Sequence, residues 1–305
     1  MFSIIIPTYN ASKHLPLLLN SLQTQTIKDY ELIIIDSSST DNTIEIAKSF
    51  NAHVITIDKE KFDHGSTRTI AAKKARGEII IFLSQDVILC DETSIENIIS
   101  PLNKDEQIAA VYGRQFPDKN ASLFAEHLRL FNYTEKSYIS EFSDKDKHGL
   151  RTIFFSNSFS AFRKDALEEI GFFKDGLIFG EDTYAAAKLI LNNKKIAYES
   201  SAKVFHSHNY TICQDFRRYF DMGVFHQKEN WMLKEFGKAE GQGIKYIKSE
   251  LSFIKEKKKF VLLPEFVVRI FAKYLGYKFG RHYKIWPESL NKKMSLNRSW
   301  WGKSY

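Results

Sequence analysis

The first half of the chain alternates short, wholly apolar runs with longer amphipathic ones. "SIII" (3–6), "YELIIID" (30–36), "AHVITID" (52–58) and "EIIIFLSQD" (78–86) are short and rich in isoleucine, and read as buried strands. Between the first two, Leu15, Leu18, Leu19 and Leu22 recur at helical spacing. "SSSTDNTIEIAKSF" opens on capping residues and continues as a helix. "GSTRTIAAKKARG" (65–77) reads as a helix stopped at Gly77. Strands alternating with helices predict an α/β, Rossmann-like, mostly parallel doubly wound sheet. Continuous apolar strands predict cover on both faces. In such sheets ligands gather beyond the carboxyl ends of the strands. Thr8–Asn10, Asp36–Ser39, the segment near His64, and Asp86 then share one rim.

From about Ala110 the pattern changes. "AAVYGRQ" and "RTIFFSNSFSAFRKDAL" predict strands of a mixed region. "GEDTYAAAKLILNN" predicts a helix, and "AYESSAKVFHSHNY" a strand carrying two histidines. After about Asp215 the chain reads as mostly helix, with no internal repeat.

Composition narrows the class. Only two cysteines occur, Cys90 and Cys213, so neither a disulfide framework nor a cysteine-based zinc site is expected. No uncharged apolar run reaches membrane-spanning length, and "MFSIIIPTYN" lacks the features of a signal peptide. The net charge of +7 is uneven: sixteen Lys or Arg and five Glu from Lys238 onward give that tail +11, leaving the body at −4. "GIKYIKSELSFIKEKKK" and "FVLLPEFVVRIFAKYLGYKFGRHYKIW" mix aromatic and basic residues. That composition predicts helices lying on an anionic membrane surface. Packing of the same helices on the body is a compatible alternative. Nucleic acid is disfavoured as a partner, because the aromatics lie within aliphatic runs rather than a polar stacking groove.

Five short words occur in order: "PTYN" (7–10), "IDSSSTDNT" (35–43), "FLSQD" (82–86), "FGEDTYAAAKL" (179–189) and "VFHSH" (204–208). Together they resemble the family 2 glycosyltransferases of GT-A fold, over roughly residues 1–225. "FDHGSTRTIAAKKARGEIIIFLSQD" and "HSHNYTICQDFRRYFDMGVFH" are similar to the bacterial rhamnosyltransferases that use dTDP-L-rhamnose to build surface polysaccharides. The resemblance implies inverting sugar transfer to a lipid-linked saccharide, with a divalent cation, Mg²⁺ or Mn²⁺. It places the protein in the cytoplasm, peripheral to the inner face of the cell membrane. The expected division is a glycosyltransferase domain at 1–215, with the nucleotide-sugar side at 1–110 and the acceptor side at 111–215. A helical, basic, aromatic region at 216–305 follows.

Chemistry and resemblance together assign roles. Asp36 can accept the imide N–H of a uracil or thymine base, or simply cap the next helix. Thr8, Tyr9 and Asn10 would line the same nucleoside pocket. His64, Gly65 and Arg68 lie at a helix start, whose free N–H groups and dipole suit a diphosphate or sugar hydroxyl. Asp86 matches the second acid of the family's Asp-x-Asp motif, a ligand for a hard cation bridging to the donor diphosphate; Gln85 precedes it on the donor side. Ser84 stands where the family has the first acid. That acid often holds ribose hydroxyls, so its loss fits a 2′-deoxyribose donor. Asp182 is the expected general base and Glu181 the acceptor-positioning acid, ordered by the family motif; two acids stabilising a helix start are the plainer alternative. His206 is the expected second metal ligand, with His208, on the same strand face, the alternative. Arg217 or Arg218 could contact phosphate, or be solvated. Rival functions are transfer from another UDP- or GDP-sugar, and a non-catalytic membrane scaffold of the same fold.

Overall fold

The computed structural model describes residues 1–237 and 240–303. Its first half runs β1 (Phe2–Thr8), α1 (Leu15–Gln23), β2 (Tyr30–Asp36), α2 (Thr43–Ser49), β3 (His53–Thr56), α3 (His64–Lys74), β4 (Ile79–Leu83), β5 (Ile88–Leu89) and α4 (Ser94–Lys104). The middle runs β6 (Ile108–Phe116), α5 (Leu123–Asn132), β7 (Tyr138–Ser140), α6 (Lys145–His148), β8 (Phe159–Arg163), α7 (Lys164–Glu169), α8 (Glu181–Leu191) and β9 (Lys195–Phe205). Five helices follow: α9 (Ile212–Lys228), α10 (Asn230–Phe236), α11 (Glu240–Glu256), α12 (Leu263–Arg281) and α13 (Glu288–Met294).

One sheet carries the order β3-β2-β1-β4-β8-β6-β9-β5, with β7 beside β9. The expected parallel core is β3-β2-β1-β4; β6 and β9 also pair in parallel, while β8, β5 and β7 run antiparallel to their neighbours. Side-chain alternation explains the double winding. Ile4, Ile6, Ile34 and Ile81 pack with the leucines of α1 and the isoleucines of α4. Ile5, Ile33, Ile35, Ile80 and Phe82 pack on the other side with Ala71 and Ala72 of α3 and the alanines of α8. Small residues on α3 and α8 let those helices approach the sheet closely.

Two expectations are corrected. Only Phe159–Arg163 of "RTIFFSNSFSAFRKDAL" is strand; Gly149–Ile153 is a 3₁₀ helix and Lys164–Glu169 is α7. The apolar density there reflects burial of an irregular connection, whose Phe155 joins the aromatic core around Tyr112 and Phe162. In addition, β9 ends at Phe205, so the two histidines sit just beyond the strand.

The boundary expected at 215/216 falls inside α9. This helix packs backbone-to-backbone against α12 through "GYKFG" (276–280). A Cβ at Gly276 would lie 2.2 Å from the Phe216 carbonyl oxygen, and one at Gly280 would lie 2.0 Å from that of Phe220. The crossing is pinned by buried Arg269, which meets Asp215 at 2.5 Å and donates to the Tyr210 carbonyl at 2.9 Å. Arg269→Ala would leave Asp215 buried without its cation. A loss of about 3 kcal/mol in unfolding free energy is expected, read by urea denaturation.

The amphipathicity of α12 is inverted. Arg269 and Lys273 are buried, while Val267, Val268, Phe271 and Tyr274 are at least half exposed, as are Phe260 and Val261 just before it. The C-terminal segment returns to the body: Asp221 accepts from Ser295 Oγ and from the Leu296 and Asn297 amides, and Trp300 Nε1 donates to the Gly176 carbonyl at 3.0 Å.

Candidate active site

The site is organised around the point where the strand order reverses, between β1 and β4. Gln85, just past β4, bridges this gap. Its Oε1 accepts the Tyr9 amide at 2.8 Å and its Nε2 donates to the Tyr9 carbonyl at 3.3 Å. Gln85 therefore shapes the rim by holding the 7–10 loop. On the other side of β1, Asp36 accepts from Thr8 Oγ1 at 2.8 Å, Ser39 Oγ at 2.6 Å and the Ser39 amide at 2.8 Å. It is fully buried and does not cap α2, which starts after Asn42. Asn10 accepts from the Thr40 amide at 2.9 Å, so the loops after β1 and β2 are laced together. Tyr9 remains 37% exposed, with Lys59 Nζ 4.6 Å from its ring centroid. Tyr9 and Lys59 are the solvent-facing part of this pocket.

Beyond β4, Asp86 meets two histidines. His206 Nε2 lies 3.5 Å from its Oδ1 and His208 Nε2 3.8 Å from its Oδ2. Sheet register explains the meeting: β5 follows Asp86 directly and pairs antiparallel with β9, with Ile88 opposite Phe205. The chain entering β5 and the chain leaving β9 are therefore neighbours. Burial opposes ionisation of Asp86, but the two histidines outweigh it and hold the carboxyl at about 2. His208 is pushed down to about 4, chiefly by burial and then by His206. One carboxylate and two imidazoles thus offer ligand atoms within 4.8 Å of one another. Such a mixed set fits a divalent cation and suits Mn²⁺ better than Mg²⁺.

Gln115, on β6, was not legible as a site residue. Its Nε2 donates to Ser156 Oγ, which leaves Oε1 to accept from His206 Nδ1 at 2.9 Å. This contact fixes the His206 ring and leaves its Nε2 facing Asp86. Gln115→Ala is expected to weaken divalent-cation binding by about 10- to 100-fold, read by calorimetric titration with Mn²⁺.

The acid pair opens α8 after Gly180, whose φ of 83° suits glycine. Glu181 and Asp182 are adjacent but differ in environment. Glu181 is buried and lies 3.1 Å from Arg68, with Asn157 Nδ2 at 3.4 Å. Burial alone would raise its pKa; Arg68 and His64 hold it below the ordinary value instead. Glu181 is thus held in a buried ion pair at the start of α8. Asp182 accepts from the Asn157 amide at 3.1 Å and the Thr183 amide at 2.7 Å. Its carboxyl is raised to about 7 by burial and by the neighbouring Glu181 charge. Two acids with separated pKa values, one near neutrality, match what a general base requires. Asn157, just before β8, ties this pair to the end of β4, where Ser84 N donates to the Ser158 carbonyl. It carried no signal in the sequence.

The expectation of free N–H groups at the start of α3 is also corrected. Asp63 caps that helix, accepting from Gly65 and Ser66. A Cβ at Gly65 would lie 2.0 Å from the Lys174 carbonyl oxygen. That glycine permits close approach of the loop leading to Glu181. His64 packs edge-on against Phe62 and is pushed toward the neutral form by burial. Arg218 donates to Tyr210 Oη at 3.3 Å, and the Tyr210 ring lies 5.6 Å from that of His208. Among the described residues Arg218 has no carboxylate partner within ion-pair distance.

Residues 3–171 match glycosyl transferase family 2. The chain belongs to that family and is a glycosyltransferase. It is 43% identical over 98% of its length to an O-antigen chain rhamnosyltransferase of Salmonella typhimurium, covering 95% of that protein. A second, from Salmonella anatum, is 41% identical over 98% of this chain and 95% of its own. Among solved structures, a mannosyltransferase from Pyrobaculum calidifontis in complex with GDP-Man and Mn²⁺ superposes with a TM-score of 0.65. It shares 15% identity, covers 93% of this chain and 87% of its own, and shows the GT-A fold.

Proposed function

We propose that this protein is an inverting rhamnosyltransferase of O-antigen synthesis, moving L-rhamnose from dTDP-L-rhamnose to a hydroxyl of a lipid-linked saccharide. The observation carrying this reading is the likeness to two O-antigen rhamnosyltransferases over nearly the whole of each chain. Asp182 takes the proton of the acceptor hydroxyl as that oxygen attacks the anomeric carbon. The nucleoside diphosphate leaves from the opposite face, so the configuration inverts. Asp36, behind the loops after β1 and β2, would accept from the base, and Tyr9 and Asn10 flank the nucleoside. Asp86, His206 and His208 would hold a divalent cation, which supplies charge neutralisation at the leaving diphosphate. Arg68 keeps Glu181 ionised, and that charge in turn keeps Asp182 basic.

Ser84 in place of an acid supports a deoxyribose donor. Mass analysis of products from a panel of nucleotide sugars tests this. dTDP-L-rhamnose is expected to give the highest transfer rate, and better turnover of a UDP- or GDP-sugar would overturn the assignment.

The same reading seats the enzyme on the inner face of the cell membrane. Among the described residues no helix is long and apolar enough to cross a membrane. The apolar outer face of α12, preceded by Lys255, Lys257, Lys258 and Lys259, supports interfacial attachment to anionic lipid. Each lysine near the surface adds about 1 kcal/mol. Sedimentation with anionic vesicles at low salt is expected, with release at high salt; no pelleting at low salt would rule this out.

A further inference from the structure

A cavity of about 500 Å³ opens on the C-terminal region between α9, α13 and the returning tail. Its volume lies within the range of small-ligand sites. Tyr283, Trp286, Trp300 and Trp301 form its aromatic wall, with Trp300 and Trp301 edge to face at 4.9 Å. Lys228, Lys284 and Lys303 supply its charge, against the single acid Glu288. Lys303 Nζ donates to the Phe62 carbonyl, and Lys228 Nζ stands 4.6 Å from the centroid of the Trp300 ring. Lys228 and Lys284 have no carboxylate within ion-pair distance among the described residues. Burial lowers the Lys228 pKa; Glu229 opposes that, and the Lys174 and Lys284 charges add to it. An anion here would relieve that repulsion. The indole N–H groups of Trp286 and Trp301, both lining residues, are buried without a hydrogen-bond acceptor among the described residues.

Flat aromatic faces beside ammonium groups without a carboxylate partner suit a ligand with an apolar sugar-ring face and a phosphate or diphosphate group. We infer that this cavity binds the phosphate-bearing sugar end of the acceptor, which rests on the reading of that acceptor as a lipid-linked saccharide. Its wall is joined to the catalytic loop. Trp300 Nε1 holds Gly176 O and Asn297 Nδ2 holds Ile178 O at 2.8 Å, a few residues before Glu181 and Asp182. The acceptor would be anchored here while its reacting hydroxyl reaches Asp182.

The test uses the full-length protein, its K228A/K284A double variant and the single charge reversal K284E, which alters an exposed side chain. Three probes are titrated calorimetrically: a lipid-linked disaccharide diphosphate, the same disaccharide without phosphate, and inorganic pyrophosphate. The disaccharide diphosphate is expected to bind tightest. Both variants should weaken it at least tenfold, and raise acceptor KM by a similar factor with kcat and donor KM unchanged. Unchanged affinity in both variants would overturn the inference. So would a loss falling on donor KM, or pyrophosphate binding as tightly as the saccharide diphosphate. If the wild-type protein fails to turn over dTDP-L-rhamnose, the donor assignment fails while the titrations still decide this site.

Discussion

Asp182→Asn is expected to lower kcat by about three orders of magnitude, within the range a positioned general base contributes. Donor binding should persist, because the hydrogen bonds of Asp182 go to Asn157 and Thr183 and not to the loops after β1 and β2. The pH profile carries the sharper signature. A base works only when ionised, so activity of the wild-type enzyme should rise with pH, reach half its maximum near 7, and level off above. The position of that limb follows from the carboxyl being raised to about 7 by burial and by Glu181. In Asp182→Asn the limb should vanish. In Glu181→Gln it should move to lower pH, because the repelling charge is gone while Arg68 remains 3.1 Å from the same position. The asparagine amide would face the Asn157 N–H in place of an accepting oxygen, so thermal melting is measured alongside. A folded variant with wild-type kcat and the same limb would remove Asp182 from the mechanism.

The second large effect is expected at Asp86. Asp86→Ala removes the carboxylate from a set otherwise made of His206 and His208. Two neutral imidazoles bind a divalent cation far more weakly than a set that includes a charged oxygen ligand. Transfer should fall at least about a hundredfold at fixed Mn²⁺, in keeping with the several kcal/mol that a cation supplies to a departing phosphate. Electron paramagnetic resonance of free Mn²⁺ should show the loss of binding directly. Wild-type Mn²⁺ affinity in the variant would exclude this cluster as the metal site. Unchanged metal binding with lost activity would assign Asp86 to the donor alone.

The mixed outcome at the rim has a physical explanation. Local words mark Asp36, Asp86, Asp182 and His206, and the structure holds Asp86 and His206 3.5 Å apart. Their partners were silent. Gln115 orients His206 from a strand ninety-one residues earlier in the chain. Asn157 ties Asp182 to the end of β4 from an irregular stretch that patterning predicted to be strand. A hydrogen-bonding amide has no periodicity and no fixed spacing from the group it serves. Gly65 and Glu181 show the opposite limit. Each meets a neighbour that the local sequence does not contain: the Lys174 backbone in one case, Arg68 in the other.

Local patterning dictates the alternation of strands and helices, the burial of both sheet faces, the strand ends where polar residues collect, and the basic, aromatic character of the tail. These follow from side-chain period and local propensity, which act over a few residues. Tertiary structure decided the rest. Antiparallel pairing of β5 with β9 brings Asp86 to the histidines. The ion pair with Arg68 keeps Glu181 charged, while the adjacent Asp182 carboxyl is raised to about 7. Close approach through Gly276 and Gly280 places Arg269 inside and valines outside on α12. Each depends on strand register or helix contact between distant segments, and the free energy of such a contact is written in no single stretch of the chain.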